Sequence, residues 1–233
     1  DFFYIDLDDV KMKKPLNIGS DINTENDESN IGILIDGQTA YASVYDQLAN
    51  NYDVSLFPIP ENVSAESVGL VKGRVIAEDG NDKGCDIKLY AKKAKTSVTY
   101  SSNIYDGEFV LSLVEKERYL MKIEKEGYEF CASFIDVNDT VENLNFSISQ
   151  LIGGESYYLP NIVFDESNSL TDESLEILNE FILYLKSSRF RIEIFAPGNQ
   201  AETIAEYIIK SGVRKDRIAV SKQSSEKVGY RLQ

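Results

Sequence analysis

The sequence has no histidine, no tryptophan, two cysteines and two methionines in 233 residues. Without an imidazole, Ser–His and Cys–His nucleophile systems are excluded, and His-ligated zinc with them. Two thiols are too few for a four-thiolate metal site. Neither a P-loop nor a G-x-G-x-x-G fingerprint occurs. No apolar run reaches the roughly 18 residues of a membrane-spanning helix. No basic-then-apolar leader opens at Asp1, so any signal peptide or lipid anchor is expected to have been removed or to lie outside this segment. Cations are scarce: 24 Lys and Arg against 39 Asp and Glu leave a net charge of −15. Such a surface repels phosphate backbones and anionic headgroups, so nucleic acid and polybasic membrane docking are not expected.

What is present is the composition of a folded protein, 42% hydrophobic and 27% charged, at a length suited to two or three domains. Carboxylate pairs are so common in this chain that any two acids near each other say nothing of glycosidase chemistry. The expectation is a protein without catalysis, cofactor or small-molecule substrate.

Three rhythms follow one another. Residues 1–62 hold short apolar runs broken by Asn, Asp and Gly; residues 68–150 alternate short strands with turns; residues 156–233 alternate strand-like and helix-like patterns. The joints, Pro58-Ile59-Pro60-Glu61-Asn62 and Gly153-Gly154-Glu155-Ser156, have linker composition. This is a multidomain chain, β-rich plus α/β.

In the first segment Phe2–Leu7, Ile31–Ile35, Thr39–Val44 and Tyr52–Phe57 read as four strands of one small meander, with a hairpin signal at Asp36-Gly37. A sheet of about 60 residues cannot bury a core alone and needs neighbours of its kind. The runs Pro15-Leu16-Asn17-Ile18-Gly19, Ile22-Asn23-Thr24, Asp27-Glu28, Asp36 to Ser43 and Tyr52-Asp53-Val54 resemble one blade of the WD-repeat-like β-propellers of Bacteroidetes envelope proteins. One blade does not close a propeller, so the resemblance implies the C-terminal part of a longer protein. The string Asp21, Asn23, Glu25, Asp27 has the alternate oxygens of a calcium loop. Asn26 stands where that loop needs Gly and Gly32 where it needs Glu, so a solvated turn is the better reading.

The middle segment carries about seven strands at the spacing of an immunoglobulin-sized β-sandwich. They include Val71–Ile76, Cys85–Tyr90, strands after Asp106-Gly107 and from Tyr119, and Ala132–Val137 and Leu144–Ile148, with a turn at Asp79-Gly80-Asn81-Asp82. Gly73 with Val75, Asp106-Gly107 with Phe109, and Tyr119 through Gly127-Tyr128 resemble the marks of the carboxypeptidase regulatory-like domain. That resemblance implies a non-catalytic spacer or adhesion module. Cys85 and Cys131 fall near the ends of two different strands. They are read either as a disulfide, worth about 2–4 kcal/mol, or as two small buried apolar groups.

The last segment reads β-α-β-α-β-β, a two-layer sandwich with helices on one face. Tyr157–Phe164 is its first strand and Thr171 caps the first helix, whose apolar stripe is Leu175, Leu178, Phe181, Ile182 and Leu185. Arg191–Phe195 follows, then a helix through Ala201, Ile204, Ala205, Ile208 and Ile209 stopped at Gly212, then strands Arg217–Val220 and Val228–Leu232. Ile162–Asp165, Ile192-Glu193-Ile194, Ala205-Glu206-Tyr207-Ile208, Ser211-Gly212-Val213 and Asp216-Arg217-Ile218 resemble the peptidoglycan-binding OmpA C-terminal-like domain.

The resemblance fails where that family grips its ligand. Its strand two ends in G-H-T-D, and an Arg opens the second helix. Asp and Arg together hold the carboxylate and ammonium of a diaminopimelate, as a zwitterion requires. Here the run is Ala196-Pro197-Gly198-Asn199, and Gln200 falls at the Arg position. Two neutral amides forfeit about 1.5–3 kcal/mol per charge-assisted bond, over a hundredfold in affinity for two. The functional reading of Asn199 and Gln200 is a residual peptidoglycan contact; the other is a shortened turn with Gly198 at the bend and an N-cap at Asn199.

Taken together, the three parts resemble the OmpA-family lipoproteins that accompany Bacteroidetes type IX secretion and gliding, the PorE-like kind. The resemblance implies a periplasmic, outer-membrane-associated scaffold whose partner is an outer-membrane protein complex. The OmpA-like part is then a protein-docking module, or, alternatively, a weak peptidoglycan tether through a divergent site. A carbohydrate-handling enzyme of the same envelope is the third and least favoured reading.

Overall fold

Period-two alternation becomes strand along most of the chain, and the protein is β-rich, spread over several sheets. The computed structural model describes all residues except 6–13, 81–83, 139–141 and 224, and leaves the side chains of residues 62 and 142 undescribed. The chain divides into two units, residues 1–71 with 111–116 and 137–141, and residues 72–110 with 117–136 and 142–233.

In the first unit a two-stranded ribbon joins β1 (Phe3–Tyr4) to β2 (Leu16–Asn17). An antiparallel sheet of β3 (Glu28–Ile33), β4 (Thr39–Asp46) and β5 (Asn51–Pro58) follows. Among the described residues the meander therefore has three strands where four are expected. Asn23 explains the difference: its side chain accepts from the Phe2 amide at 2.6 Å and donates to the Phe2 carbonyl at 2.9 Å, holding the opening residues against β2. Asp6 and Leu7 of the expected first strand lie outside the described residues.

The Asp36-Gly37 hairpin forms as its sequence demands. Gly37 has φ +68°, and a Cβ there would stand 2.1 Å from the Ala65 carbonyl oxygen. The Asp36 carboxylate accepts bonds from the Thr39 hydroxyl and the Gln38 and Thr39 amides, which hold its pKa below the usual carboxylate value. One face of the sheet buries Ala40 and Ala42, and Ala40 joins Ile22 and Ile59 in a small core. The other leaves Tyr41, Tyr52, Val54 and Leu56 exposed.

Among the described residues, seven strands run from residue 68 to 148: β6 (Val68–Ala77), β7 (Asp86–Ala91), β8 (Ser97–Ser101), β9 (Glu108–Val114), β10 (Arg118–Glu124), β11 (Cys131–Asp136) and β12 (Glu142–Ile148). Two sheets result, ordered β11-β10-β7-β8 and β12-β6-β9. Strand β8 carries no apolar alternation beyond Val98 and Tyr100, and it was unnamed in the sequence pattern. Asn81 and Asp82 of the expected turn lie outside the described residues. Gly73 allows a close approach within β6: a Cβ would meet the Leu144 carbonyl at 2.2 Å and the Phe109 ring at 2.3 Å. Gly107, at φ +73°, brings its carbonyl to the Val75 amide at 2.9 Å.

Strand β10 departs from simple alternation, because five successive residues, Tyr119 to Ile123, are all buried. Its outward residues are covered by the C-terminal part of the same unit. There β13 (Ser156–Tyr158), α1 (Asp172–Ser187), β14 (Ile192–Phe195), α2 (Gln200–Lys210), β15 (Ile218–Val220) and β16 (Gly229–Leu232) occur in that order. Their sheet is ordered β13-β16-β14-β15, with β14 and β15 parallel. Strand β13 is shorter than the alternation suggests, since Pro160 lacks an amide donor and Asn161 turns the chain at φ +64°. The Thr171 hydroxyl caps α1 by accepting from the Ser174 amide.

The core of this layer is shared. Phe181, Ile177, Leu178 and Leu185 of α1 and Ile192, Ile194, Tyr230 and Leu232 of the sheet form one buried cluster with Leu120, Phe130 and Ala132 of the β10–β11 hairpin. Phe130 meets Phe181 edge-on at 5.2 Å between centroids, and its amide donates to the Tyr230 hydroxyl at 3.2 Å. Above that core runs a row of ion pairs at helical spacing on α1. Glu173 pairs with Arg118 at 2.8 Å, Glu176 with Lys92 at 3.0 Å and Glu180 with Lys122 at 2.6 Å. One turn further on, the Tyr184 hydroxyl donates to the Tyr128 carbonyl at 3.0 Å. The Gly153-Gly154 joint is tied down too: the Tyr157 hydroxyl accepts from the Ile152 amide at 2.6 Å and donates to the Gln150 carbonyl at 2.9 Å. Arg217 closes the far end of α1, donating to the carbonyls of Leu185 at 2.7 Å and Phe190 at 2.8 Å.

Lys122 is 5% exposed and Glu180 13%. Removing one member of such a pair strands the other, at a cost of about 3–5 kcal/mol, whereas an apolar replacement of both is close to neutral. Lys122→Met should therefore destabilise by about 3 kcal/mol in urea unfolding, and Lys122→Met/Glu180→Leu should recover most of the loss. Burial alone would lower the Lys122 pKa, but Glu124 and Glu180 outweigh it and raise it above 10.5. Burial alone would raise that of Glu124, but Lys122 and Lys88 hold it below 4.5. The contribution of Glu124 is thus present above its unfolded pKa and lost as pH falls through its lowered folded value. That of Lys122 is present below its unfolded pKa and lost as pH rises through its raised folded value. The Lys122→Met penalty should be flat across neutral pH and shrink at both extremes.

Candidate functional site

The chain leaves β14 through buried Ala196, bends at Gly198 (φ +53°) and enters α2 at Gln200. Asn199 occupies the N-cap position, but its side chain does not cap the helix. Its Oδ1 instead accepts from Asn168 Nδ2 at 3.0 Å, and Gln200 Nε2 donates to Asn168 Oδ1 at 3.5 Å. The structure so joins both sequence candidates to a third amide, Asn168, that the sequence pattern did not single out.

Asn168 is presented by a turn built on Asp165. That carboxylate accepts from the Ser167 hydroxyl at 2.7 Å and from the Ser167 and Ser169 amides at 2.9 Å each, which keeps its pKa below the usual value. Asn168 itself sits at φ +60°, a conformation Asn tolerates better than most residues. The signal was Asp165-Glu166-Ser167-Asn168-Ser169, an Asx-turn composition followed by a left-handed Asn. Chemically the cluster is neutral, with Asn168 and Asn199 exposed and Gln200 half-buried. It can donate and accept hydrogen bonds, and part of that capacity is spent internally.

Cys85 and Cys131 are free thiols. Register gives the reason, since β10 lies between β11, which opens with Cys131, and β7, which begins just after Cys85: Ile123 pairs with Ile87 on one side and Cys131 on the other. Two strand spacings are about 9.6 Å, beyond the roughly 7 Å Cα separation a disulfide can bridge. Burial raises the pKa of both thiols, that of Cys131 to about 12.

Around the acidic string of the first unit, Asn23 is committed to Phe2 and Asn17, and Asp27 accepts from the Tyr52 hydroxyl at 2.9 Å. Glu28 is buried, one oxygen accepting from the amide and hydroxyl of Thr24. Among the described residues no three acidic or thiol side chains are grouped so as to hold a metal ion.

No family model matches the chain, and no curated protein does. Among solved structures it is similar to 3-chlorocatechol 1,2-dioxygenase from Rhodococcus opacus 1CP, at 11% identity and TM-score 0.31, over 37% of this chain and 61% of that one. A streptococcal ancillary pilin is similar at 15% identity and TM-score 0.32, over 57% of this chain and 55% of that one. The C-terminal fragment of the pilus adhesin SpaC from Lactobacillus rhamnosus GG is similar at 11% identity and TM-score 0.33, over 64% of this chain and 69% of that one. The chain thus spans little more than half the length of the first two.

Thiol titration checks the cysteine geometry. In denaturant without reductant, two thiols per chain should react with an aromatic disulfide reagent at pH 8. In the folded protein, reaction at Cys131 should be slower by orders of magnitude, because almost none of it is thiolate.

Proposed function

We propose that this chain is a non-catalytic scaffold segment of a periplasmic, outer-membrane-associated assembly. In this reading its C-terminal layer, of OmpA C-terminal-like kind, docks protein rather than gripping peptidoglycan. The carrying observation is the Asn168–Asn199–Gln200 cluster: a zwitterion grip needs an anion and a cation there, and the structure has amides bonded to one another. The element order from β13 to β16, and Arg217 holding the end of α1, support the OmpA-like reading.

The finer readings of the other parts stand on particular residues. Gly73 against Phe109 and the Gly107 turn support the carboxypeptidase regulatory-like sandwich. The three-stranded meander with one exposed apolar face supports a propeller blade. A scaffold also gains from the shared core and ion-pair row, which join sandwich and α/β layer into one body.

Sedimentation with purified peptidoglycan sacculi tests this reading. The whole chain is used, because excising residues 156–233 would strip Leu120, Phe130 and Ala132 from the core. The native chain should stay in the supernatant at moderate salt. Asn199→Asp/Gln200→Arg, which supplies the charged pair, should gain about a hundredfold in affinity. Salt-resistant co-sedimentation of the native chain that disappears in Asn199→Ala/Gln200→Ala would instead establish the tether.

A further inference from the structure

Beside the last turn of α1 lie the Asp86 end of β7 and the Glu124–Gly127 turn after β10. They leave a cleft of about 730 Å³, within the range of small-ligand sites. Its walls include Tyr90, Leu151, Leu183, Tyr184 and Phe190. Leu183 is 53% exposed although it sits on the helix that supplies the core. The cleft contains none of the residues of the Asn168–Asn199–Gln200 cluster.

Most charges along this cleft are answered within the protein. Lys88 pairs with Glu124 at 2.5 Å, Lys122 pairs with Glu124 and Glu180, and Lys125 lies over the Tyr128 ring at 4.7 Å. Asp86 accepts from the Ser101 hydroxyl at 3.4 Å, and Glu129 from the Ser149 amide at 2.8 Å. Two side chains of opposite sign remain: among the described residues, neither Arg189 nor Glu126 has an ion pair or hydrogen bond. Both are exposed, and both line the cleft.

Each is displayed from a bend that is fixed. Arg189 lies between Ser188, whose hydroxyl donates to the Leu185 carbonyl, and Phe190, whose carbonyl is held by Arg217. Glu126 precedes Gly127, at φ +81°, whose carbonyl accepts from the Leu151 amide at 2.8 Å. Holding the backbone of both charges in place reduces the ordering cost of binding.

We propose that this cleft binds a short peptide with free termini and a bulky apolar side chain. Its carboxylate sits on Arg189, which offers a bidentate fork, its ammonium sits on Glu126, and its side chain lies against Tyr90, Leu183 and Phe190. The recognition is of a zwitterion with an apolar body, and is independent of the scaffold reading.

The probe is the tripeptide alanyl-phenylalanyl-alanine, titrated into the whole chain while backbone amide shifts are followed by NMR. Saturable shifts are expected at residues 124–127 and 183–190. Blocking both peptide termini should weaken binding at least tenfold, as should Arg189→Ala or Glu126→Gln, exposed substitutions that leave the core untouched. Leu183→Asp should abolish it. The proposal is overturned if those residues do not shift at millimolar peptide, if the blocked peptide binds equally well, or if shifts centre on Asn168, Asn199 and Gln200 instead.

Discussion

Helix α1 lies on the outer face of a β-sandwich sheet, and the contact it makes there governs how the second unit is put together. Its acidic row, Glu173, Glu176 and Glu180, meets Arg118, Lys92 and Lys122 while its apolar face enters a core shared with the C-terminal sheet. Buried ion pairs add little net stability once desolvation is counted. Of this row only Lys122–Glu180 is buried; the other two pairs are part-exposed, and Lys122 keeps a second partner in Glu124 on its own strand.

From that contact follow the features that a chain of separate domains would not have. The Gly153-Gly154 joint, of linker composition, is pinned through the Tyr157 hydroxyl. Phe130 packs against Phe181 and Tyr184 of α1. Beside the last turn of the helix lies the cleft lined by Leu183 and Phe190, with Arg189 and Glu126 also lining it. Neutral amides near the start of α2 and unpaired charges beyond the end of α1 thus give the layer two chemically different places.

The first unit obeys another constraint. Its three-stranded sheet buries Ala40 and Ala42 on one face and leaves Tyr41, Tyr52, Val54 and Leu56 open on the other. Small side chains on the covered face let the backbone lie close to its own core, while the aromatic and branched residues are left exposed. That distribution is what the propeller-blade proposal rests on.

Much of this was legible because it is local. The capping Thr171, the Asp36-Gly37 hairpin, the β-α-β-α-β-β order and most sandwich strands follow from side-chain period and from residues that accept special dihedrals. The three-amide cluster was half legible: Asn199 and Gln200 stood out against a motif, whereas Asn168 joins them from 31 residues away. The amino-acid sequence by itself determined most of the strand and helix segments, many of their turns, and that no imidazole is available for chemistry. Only the tertiary structure decided that β10 is buried on both faces, that Lys122 meets Glu180 across 58 residues, and that Cys85 and Cys131 have a strand between them. The physical reason is that period two reports which residues share a face, and a lysine on the outward face looks the same in sequence whether water or a helix covers it.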